Sequence, residues 1–369
     1  MKRFLLWLLM AAILLSFGGC ASEEAPPAAT AAPETAPAVE TAVPETEPAA
    51  PETTEAKIED PMFLKVSAIT FSLVGESEDI YLGLVPRELV TWESEDPSII
   101  SVENGVLTAV GVGSTTVRAV YNDRELICTA GCLAETQEEL ESLGFDVLSQ
   151  PKRLLPEVDL QTKCTYFENA ALVGDSISYM MMQVESKGDF LGNLLFLTRG
   201  GTSLNGFVHR VKNISFRGVE MNLEDAIEKS GVERVYILIG SNDIGSDAQR
   251  IKFFENWDIM LQRIREKSPN VEIVLISNIP QYAGEPECRS AHFLQYNSLV
   301  VEYNERMRDY CRENGYLYLD LHGYVEDHCA RMAKDYNLDG FHLNDSGYHV
   351  WMKVLRYYAQ YELEGGTLS

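Results

Sequence analysis

The stretch that decides the fold is AALVGDSISYM, residues 170–180. Four apolar residues, 170–173, run into Gly174-Asp175-Ser176, and a helix is expected to follow. A short run without a polar face reads as a strand buried on both sides, as in a parallel sheet. Ser176 then stands at a strand-to-helix junction. A serine there serves equally well as a helix cap or as a nucleophile.

The same rhythm continues downstream. Apolar runs at 194–197, 235–239, 271–276 and 316–319 read as further buried strands. Amphipathic segments at 205–212, 222–229, 247–266 and 298–313 lie between and beyond them, and a last helix is expected over 345–361. Asn314-Gly315 is a fitting helix stop. Five strands alternating with helices predict a three-layer α/β/α, doubly wound parallel sheet. Ligands bind such sheets beyond the carboxyl ends of their strands.

Three more motifs fall on that edge. In LTRGGTSLNG, residues 197–206, a strand ends in Gly200-Gly201, where a backbone can approach a ligand closely. In VYILIGSNDIG, residues 235–245, Asn242 follows a strand; its neutral amide suits a developing oxyanion, although an Asx turn would also use it. In NLDGFHLNDSGYHVW, residues 337–351, Asp339 and His342 precede the last helix, which Asn344 or Asp345 can cap. His342 is the candidate base for Ser176, and Asp339 would fix its tautomer and stabilise the imidazolium. His349 lies one turn into the helix, where packing explains it. The spacing of Asp339, His342, Asp345 and His349 matches no common metal motif, so neither a metal nor another cofactor is expected.

Taken in order, these four blocks make residues 166–365 resemble the SGNH, or GDSL, hydrolase superfamily. The carrying residues are Gly174-Asp175-Ser176, Gly200-Gly201-Thr202, Gly240-Ser241-Asn242-Asp243 and Asp339-Gly340-Phe341-His342-Leu343. The resemblance implies a flavodoxin-like sheet and metal-free serine ester hydrolysis. It makes Ser176 the nucleophile, His342 the general base and Asp339 its orienter. The oxyanion donors would be the Ser176 backbone, Asn242, and Gly200 or Gly201. Loops 188–193 and 281–292 would flank the cleft. The α/β-hydrolase elbow Gly-x-Ser-x-Gly fits less well, because Ser178 stands where its second glycine belongs.

The N-terminal half has a different character. Lys2 and Arg3 precede an apolar run, 4–17, and Gly18-Gly19 lead into Cys20. This is the layout of an export signal, and the run is short for a membrane span. It resembles a bacterial lipobox, which implies cleavage after residue 19 and lipidation of Cys20. Residues 20–58 carry seven prolines and eight glutamates and offer no apolar face. They read as a disordered Ala/Pro/Glu/Thr tether that would reach roughly 110 Å if fully extended as polyproline.

Residues 59–134 contain short β-rich runs with a hairpin signal at Asn104-Gly105. They predict a small all-β sandwich. Trp92, Ser94, Asn104-Gly105, Ala109, Gly111, Gly113 and Thr116 resemble the bacterial immunoglobulin-like domain, group 2. That family implies a spacer or adhesion role, with Trp92 in the core. A connector, 135–165, carries a short helix over 135–143. Besides Cys20 there are six cysteines, an even number that suits an oxidising compartment and permits 15 pairings. Cys128 and Cys132 cannot pair along a straight strand, whereas a turn at Gly131 would bring them together.

The formal net charge of −26 argues against nucleic acid as a partner. The expected function is a serine esterase, lipid-anchored on the extracytoplasmic face of a bacterial membrane. It would remove short acyl groups, acetyl above all, from polysaccharide or cell-wall glycan. The immunoglobulin-like domain would be the wall or polysaccharide contact. The alternatives are an O-acyltransferase or lipid esterase on the same site, or an inactive surface adhesion or scaffold protein.

Overall fold

The computed structural model describes residues 61–284 and 291–368. The signal, Cys20, the whole tether, residues 59–60 and residues 285–290 of the loop 281–292 lie outside the described residues.

The strands are β1 (Ala68–Leu73), β2 (Ser77–Asp79), β3 (Thr91–Ser94), β4 (Ile100–Glu103), β5 (Val106–Ala109), β6 (Gly113–Tyr121), β7 (Arg124–Ala134), β8 (Arg153–Leu154), β9 (Ala170–Gly174), β10 (Leu195–Thr198), β11 (Ile214–Phe216), β12 (Val219–Met221), β13 (Arg234–Leu238), β14 (Glu272–Ile276) and β15 (Leu317–Leu319). The helices are α1 (Gln137–Ser142), α2 (Phe145–Leu148), α3 (Ser176–Glu185), α4 (Leu204–His209), α5 (Leu223–Ser230), α6 (Ser241–Ile244), α7 (Asp247–Arg250), α8 (Phe253–Lys267), α9 (Ala291–Asn314), α10 (His322–Val325) and α11 (Asp345–Leu363).

All five expected C-terminal strands form one parallel sheet, in the order β10-β9-β13-β14-β15. Counted within this domain the order is 2-1-3-4-5, the flavodoxin-like winding. Successive residues of each strand enter different cores, because side chains alternate across a sheet. Leu172, Tyr236 and Val274 face one core with α3 and α11. Val173, Ile237 and Leu275 face the other with α4, α5, α8 and α9. Both faces are therefore covered, as the unbroken apolar runs required.

The N-terminal part forms two small sheets around a shared apolar core, β3-β6-β7-β1-β8 and β2-β5-β4. Asn104 and Gly105 take φ 50° and 82°, the left-handed pair a two-residue hairpin needs. Trp92 packs edge-on against Tyr81 at 5.6 Å, partly buried against that core. Cys128 and Cys132 share the strand β7, and Gly131 pairs within the sheet with Thr70 and Ser114. The turn that would have joined the two thiols does not occur, and burial pushes Cys128 up to about 12.

The connector does more than connect. Thr136 and Glu139 form a capping box that starts α1. Beyond it, β8 pairs antiparallel with β1 and completes the N-terminal sheet. Arg153 on β8 bonds Glu78 at 2.9 Å and Asp320 at 3.1 Å, while Lys65 reaches Glu78 at 3.0 Å. Tyr361 donates to the Leu82 carbonyl, Tyr324 to that of Lys65 and Tyr357 to that of Leu64. Phe63 stands edge-on to Tyr357 and Tyr361. The β-rich part is thus docked on α10 and α11 by apolar, hydrogen-bonded and ionic contacts together.

Arg153 has a side chain only 20% exposed, so truncating it leaves Glu78 and Asp320 without their shared cation. Arg153→Ala should lower stability by about 2–4 kcal/mol, between the exposed and buried limits for ion pairs. The midpoint of urea unfolding checks this; a midpoint equal to that of wild type would show that the network is idle.

Candidate active site

The site is built at the switch point of the sheet, where β9 and β13 leave in parallel and their turns lie side by side. Gly174 ends β9 between Thr198 and Leu238. A Cβ there would sit 2.1 Å from Ser178 Oγ and 2.3 Å from the Leu238 carbonyl, so only glycine fits. Asp175 follows and caps α3, its Oδ1 accepting the Ile177 N–H at 2.9 Å. The cap expected of Ser176 therefore belongs to Asp175. Ser176 is the first helical residue, and its hydroxyl is left for another partner.

That partner is His342. Its Nε2 lies 2.9 Å from Ser176 Oγ, and its Nδ1 lies 2.9 Å from Asp339 Oδ2. Asp339 Oδ1 accepts the backbone N–H groups of Phe341 and His342 at 3.1 and 2.9 Å. Burial alone would raise the Asp339 carboxyl, but the bonds from the His342 ring and backbone and from Phe341 outweigh it and hold it below the usual range. Nδ1–H donating to a carboxylate leaves Nε2 as the acceptor for the serine proton. Asn344 caps α11 by accepting from Gly347, as one of the two sequence alternatives had it. His349 packs edge-on to Phe190 at 5.0 Å.

The third block joins from β13. Gly240 takes φ 129° and faces Phe253, two reasons for glycine at that position. Asn242 Nδ2 donates to the Thr202 carbonyl at 2.6 Å and lies 3.5 Å from Asp175 Oδ2. An amide carries two N–H groups, so one anchors it and the other is available to a ligand. Asp243 is buried and accepts the N–H groups of Leu204 and Asn205, which starts α4. Gly201 takes φ 68°, whereas Gly200 does not leave the ordinary region.

A cavity of about 360 Å³ opens between these turns. Ser176, Asn242 and His342 line it together with Ile279, Tyr296 and Phe341. Gly200, Gly201 and Asp339 are not among its lining residues. Ile279 and Tyr296 were not singled out from the sequence, Ser241 and Phe341 were given no role of their own, and Gln281 opens the loop 281–292 expected to flank the cleft. Ser241 and Phe341 lay inside quoted motifs, but Tyr296 sits mid-helix with nothing local to mark it.

Asp175 is the second carboxylate of the site and behaves oppositely to Asp339. Burial raises it to about 6, against the bonds from Ser241 and Ile177 and the pull of His342. A carboxyl raised on folding from about 3.8 to about 6 favours the folded state below its ordinary value and loses that contribution as pH rises through about 6. At neutral pH the buried charge costs about 3 kcal/mol. The melting temperature of wild type minus that of Asp175→Asn should therefore fall steadily between pH 4 and 7. A constant difference across that window would mean that Asp175 does not titrate there.

Residues 172–350 match the model of the GDSL-like Lipase/Acylhydrolase family. Comparison with curated proteins finds no match. Among solved structures, a chain from Streptococcus pneumonia is 22% identical, covers 54% of this chain and 85% of its own, and has a TM-score of 0.42. A GDSL-like lipase from Bacteroides thetaiotaomicron VPI-5482 is 15% identical, covers 55% and 92%, and has a TM-score of 0.40. A carbohydrate esterase family 3 structure from Talaromyces cellulolyticus is 14% identical, covers 53% and 97%, and has a TM-score of 0.37. Residues 172–350 thus form a GDSL-like lipase/acylhydrolase domain, and the protein is a carboxylic ester hydrolase.

Proposed function

We propose that the protein is a lipid-anchored serine esterase of the bacterial cell surface that removes short acyl groups, acetyl first, from polysaccharide or cell-wall glycan. The observation that carries the chemistry is the unbroken chain Asp339–His342–Ser176, with both side-chain links at 2.9 Å. Ser176 Oγ attacks the ester carbonyl while His342 Nε2 takes its proton. The bond to the leaving alcohol then breaks, and Nε2 returns the proton to that oxygen. A water activated by the same nitrogen releases the acid and restores Ser176. The Ser176 N–H, Asn242 Nδ2–H and the N–H of Gly200 or Gly201 receive the negative oxygen. Asp339 holds the tautomer.

The place and the substrate rest on the N-terminal sequence. Cys20 would carry the lipid, and the Pro/Glu-rich tether would let the enzyme work away from the membrane. The β-rich part is read as an immunoglobulin-like domain that contacts wall or polysaccharide. Its docking on α10 and α11 means that such a contact would orient the cleft as well as retain the enzyme. The cavity of about 360 Å³ is open to solvent on its Phe341 side, where that ring is 51% exposed, which suits a small acyl group on a large alcohol.

Purified protein should hydrolyse p-nitrophenyl acetate and release acetate from one of acetylated xylan, peptidoglycan or capsule. Ser176→Ala should lower the rate by a factor on the order of 10⁴ or more, and Asn242→Ala should lower kcat by about 10²–10³. Undiminished hydrolysis by Ser176→Ala would sink the assignment.

A further inference from the structure

The turn that carries Asn242 is pinned from two sides through a residue that the reaction itself does not consume. Ser241 Oγ donates to Asp175 Oδ2 at 2.6 Å. The carbonyl of the same residue accepts the Tyr296 hydroxyl at 3.2 Å. Asp175 has no exposed surface, and Tyr296, on α9, is 6% exposed. Burial pushes the Tyr296 phenol up, so it stays protonated and keeps its role as donor. Asp175 Oδ1 meanwhile holds the Ile177 N–H at the start of α3. One buried carboxylate therefore spans both halves of the oxyanion site, with Ser176 on one side and Asn242 on the other.

Gly240, just before Ser241, has a glycine's conformational freedom. Asn242 is itself exposed, and its amide makes one short bond, to Thr202. Its distance of 3.5 Å from Asp175 is too long for a firm second one. Oxyanion stabilisation depends on donors fixed before the charge develops, and a misplacement of about 1 Å can cost 10²-fold in rate.

We propose that Ser241 is a positioning residue of the oxyanion site, its hydroxyl riveting the 240–242 turn to Asp175 while Tyr296 braces the same peptide from α9. The substrate need not touch the Ser241 hydroxyl. Its effect reaches the reaction through Asn242 and through the register between that amide and the Ser176 N–H. The proposal rests on the reading of Ser176 as nucleophile and Asn242 as oxyanion donor.

The test measures p-nitrophenyl acetate hydrolysis by wild type, Ser176→Ala, Ser241→Ala, Tyr296→Phe and the double variant of the last two. Ser241→Ala should lower kcat roughly ten- to hundredfold with KM within about twofold. Tyr296→Phe, which removes one oxygen and keeps the ring, should lower kcat by a smaller factor. The double variant should lose less than the product of the two, since both act on one turn. A boronic acid, which presents a tetrahedral anion on Ser176, should bind Ser241→Ala more weakly in proportion to the loss of kcat, while acetate inhibition stays unchanged. A kcat for Ser241→Ala within twofold of wild type overturns the proposal, as does a loss confined to KM. An inactive wild type takes the catalytic reading down with it; an active wild type beside an unaffected Ser241→Ala removes this inference alone.

Discussion

Parallel pairing of β9 with β13 is the constraint on which the site depends. Residues 170–174 run beside 234–238 in register, and Gly174 faces Leu238 at the end. The backbones approach so closely there that a single Cβ would strike the Leu238 carbonyl. Two turns consequently leave the sheet side by side, and Asp175 on one can reach Ser241 on the other. Asn242 then reaches Thr202 in the turn after β10. Three strand ends are thus tied together before any substrate arrives, which is what a preorganised charge-binding site requires.

His342 comes from the far end of the domain, and its placement depends on a different set of bonds. The loop before α11 is internally fixed. Asn337 Oδ1 accepts from Gly340, Leu338 donates to the His342 carbonyl, and Asn344 Nδ2 donates to Asp335 and Asn337. Tyr348 on α11 donates to the Ile177 carbonyl on α3 at 3.0 Å. That bond sets the helix that begins at Ser176 against the helix that follows His342. The far part of α11 carries Tyr357 and Tyr361, whose hydroxyls bind the β-rich part. The N-terminal sheets therefore buttress the helix that follows the His342 loop, a role that a freely tethered spacer would not have.

Much of this was legible because it is local. Buried strands in a parallel sheet are unbroken apolar runs, and all five were visible within a residue or two at each end. Ser176, Asn242, Asp339 and His342 stood out because strand-end chemistry recurs at short, readable motifs. What stayed hidden is decided by tertiary contact. The helix expected over 247–266 is two helices, because Phe253 turns inward to face Gly240 and Tyr303, which leaves Ile251 86% exposed at the break. The hairpin β11–β12 has three-residue strands, too short for alternation to show, and Arg217-Gly218 supply its turn at φ 51° and 78°. The two residues of β8 become a strand only because β1 offers an edge. Tyr296 had no local signal, since its task is defined by Ser241, 55 positions away.

The two carboxylates of the site show how environment divides one chemistry into two tasks. Asp339 is half exposed and rich in donors, so it stays ionised and suits a group that must face an imidazolium. Asp175 is sealed, and burial works against its charge. Its oxygens nonetheless accept from Ile177 and Ser241, both donors that would bond a neutral acid less strongly. A serine in place of Asp175 would still cap α3, since serine is a favoured cap. The shorter side chain would not span to Ser241, and the two turns would lose the acceptor they share. A cap alone therefore does not explain an aspartate here. The bridge between the turns does, and the stability lost by burying its charge is the cost of holding Ser176 and Asn242 in one frame.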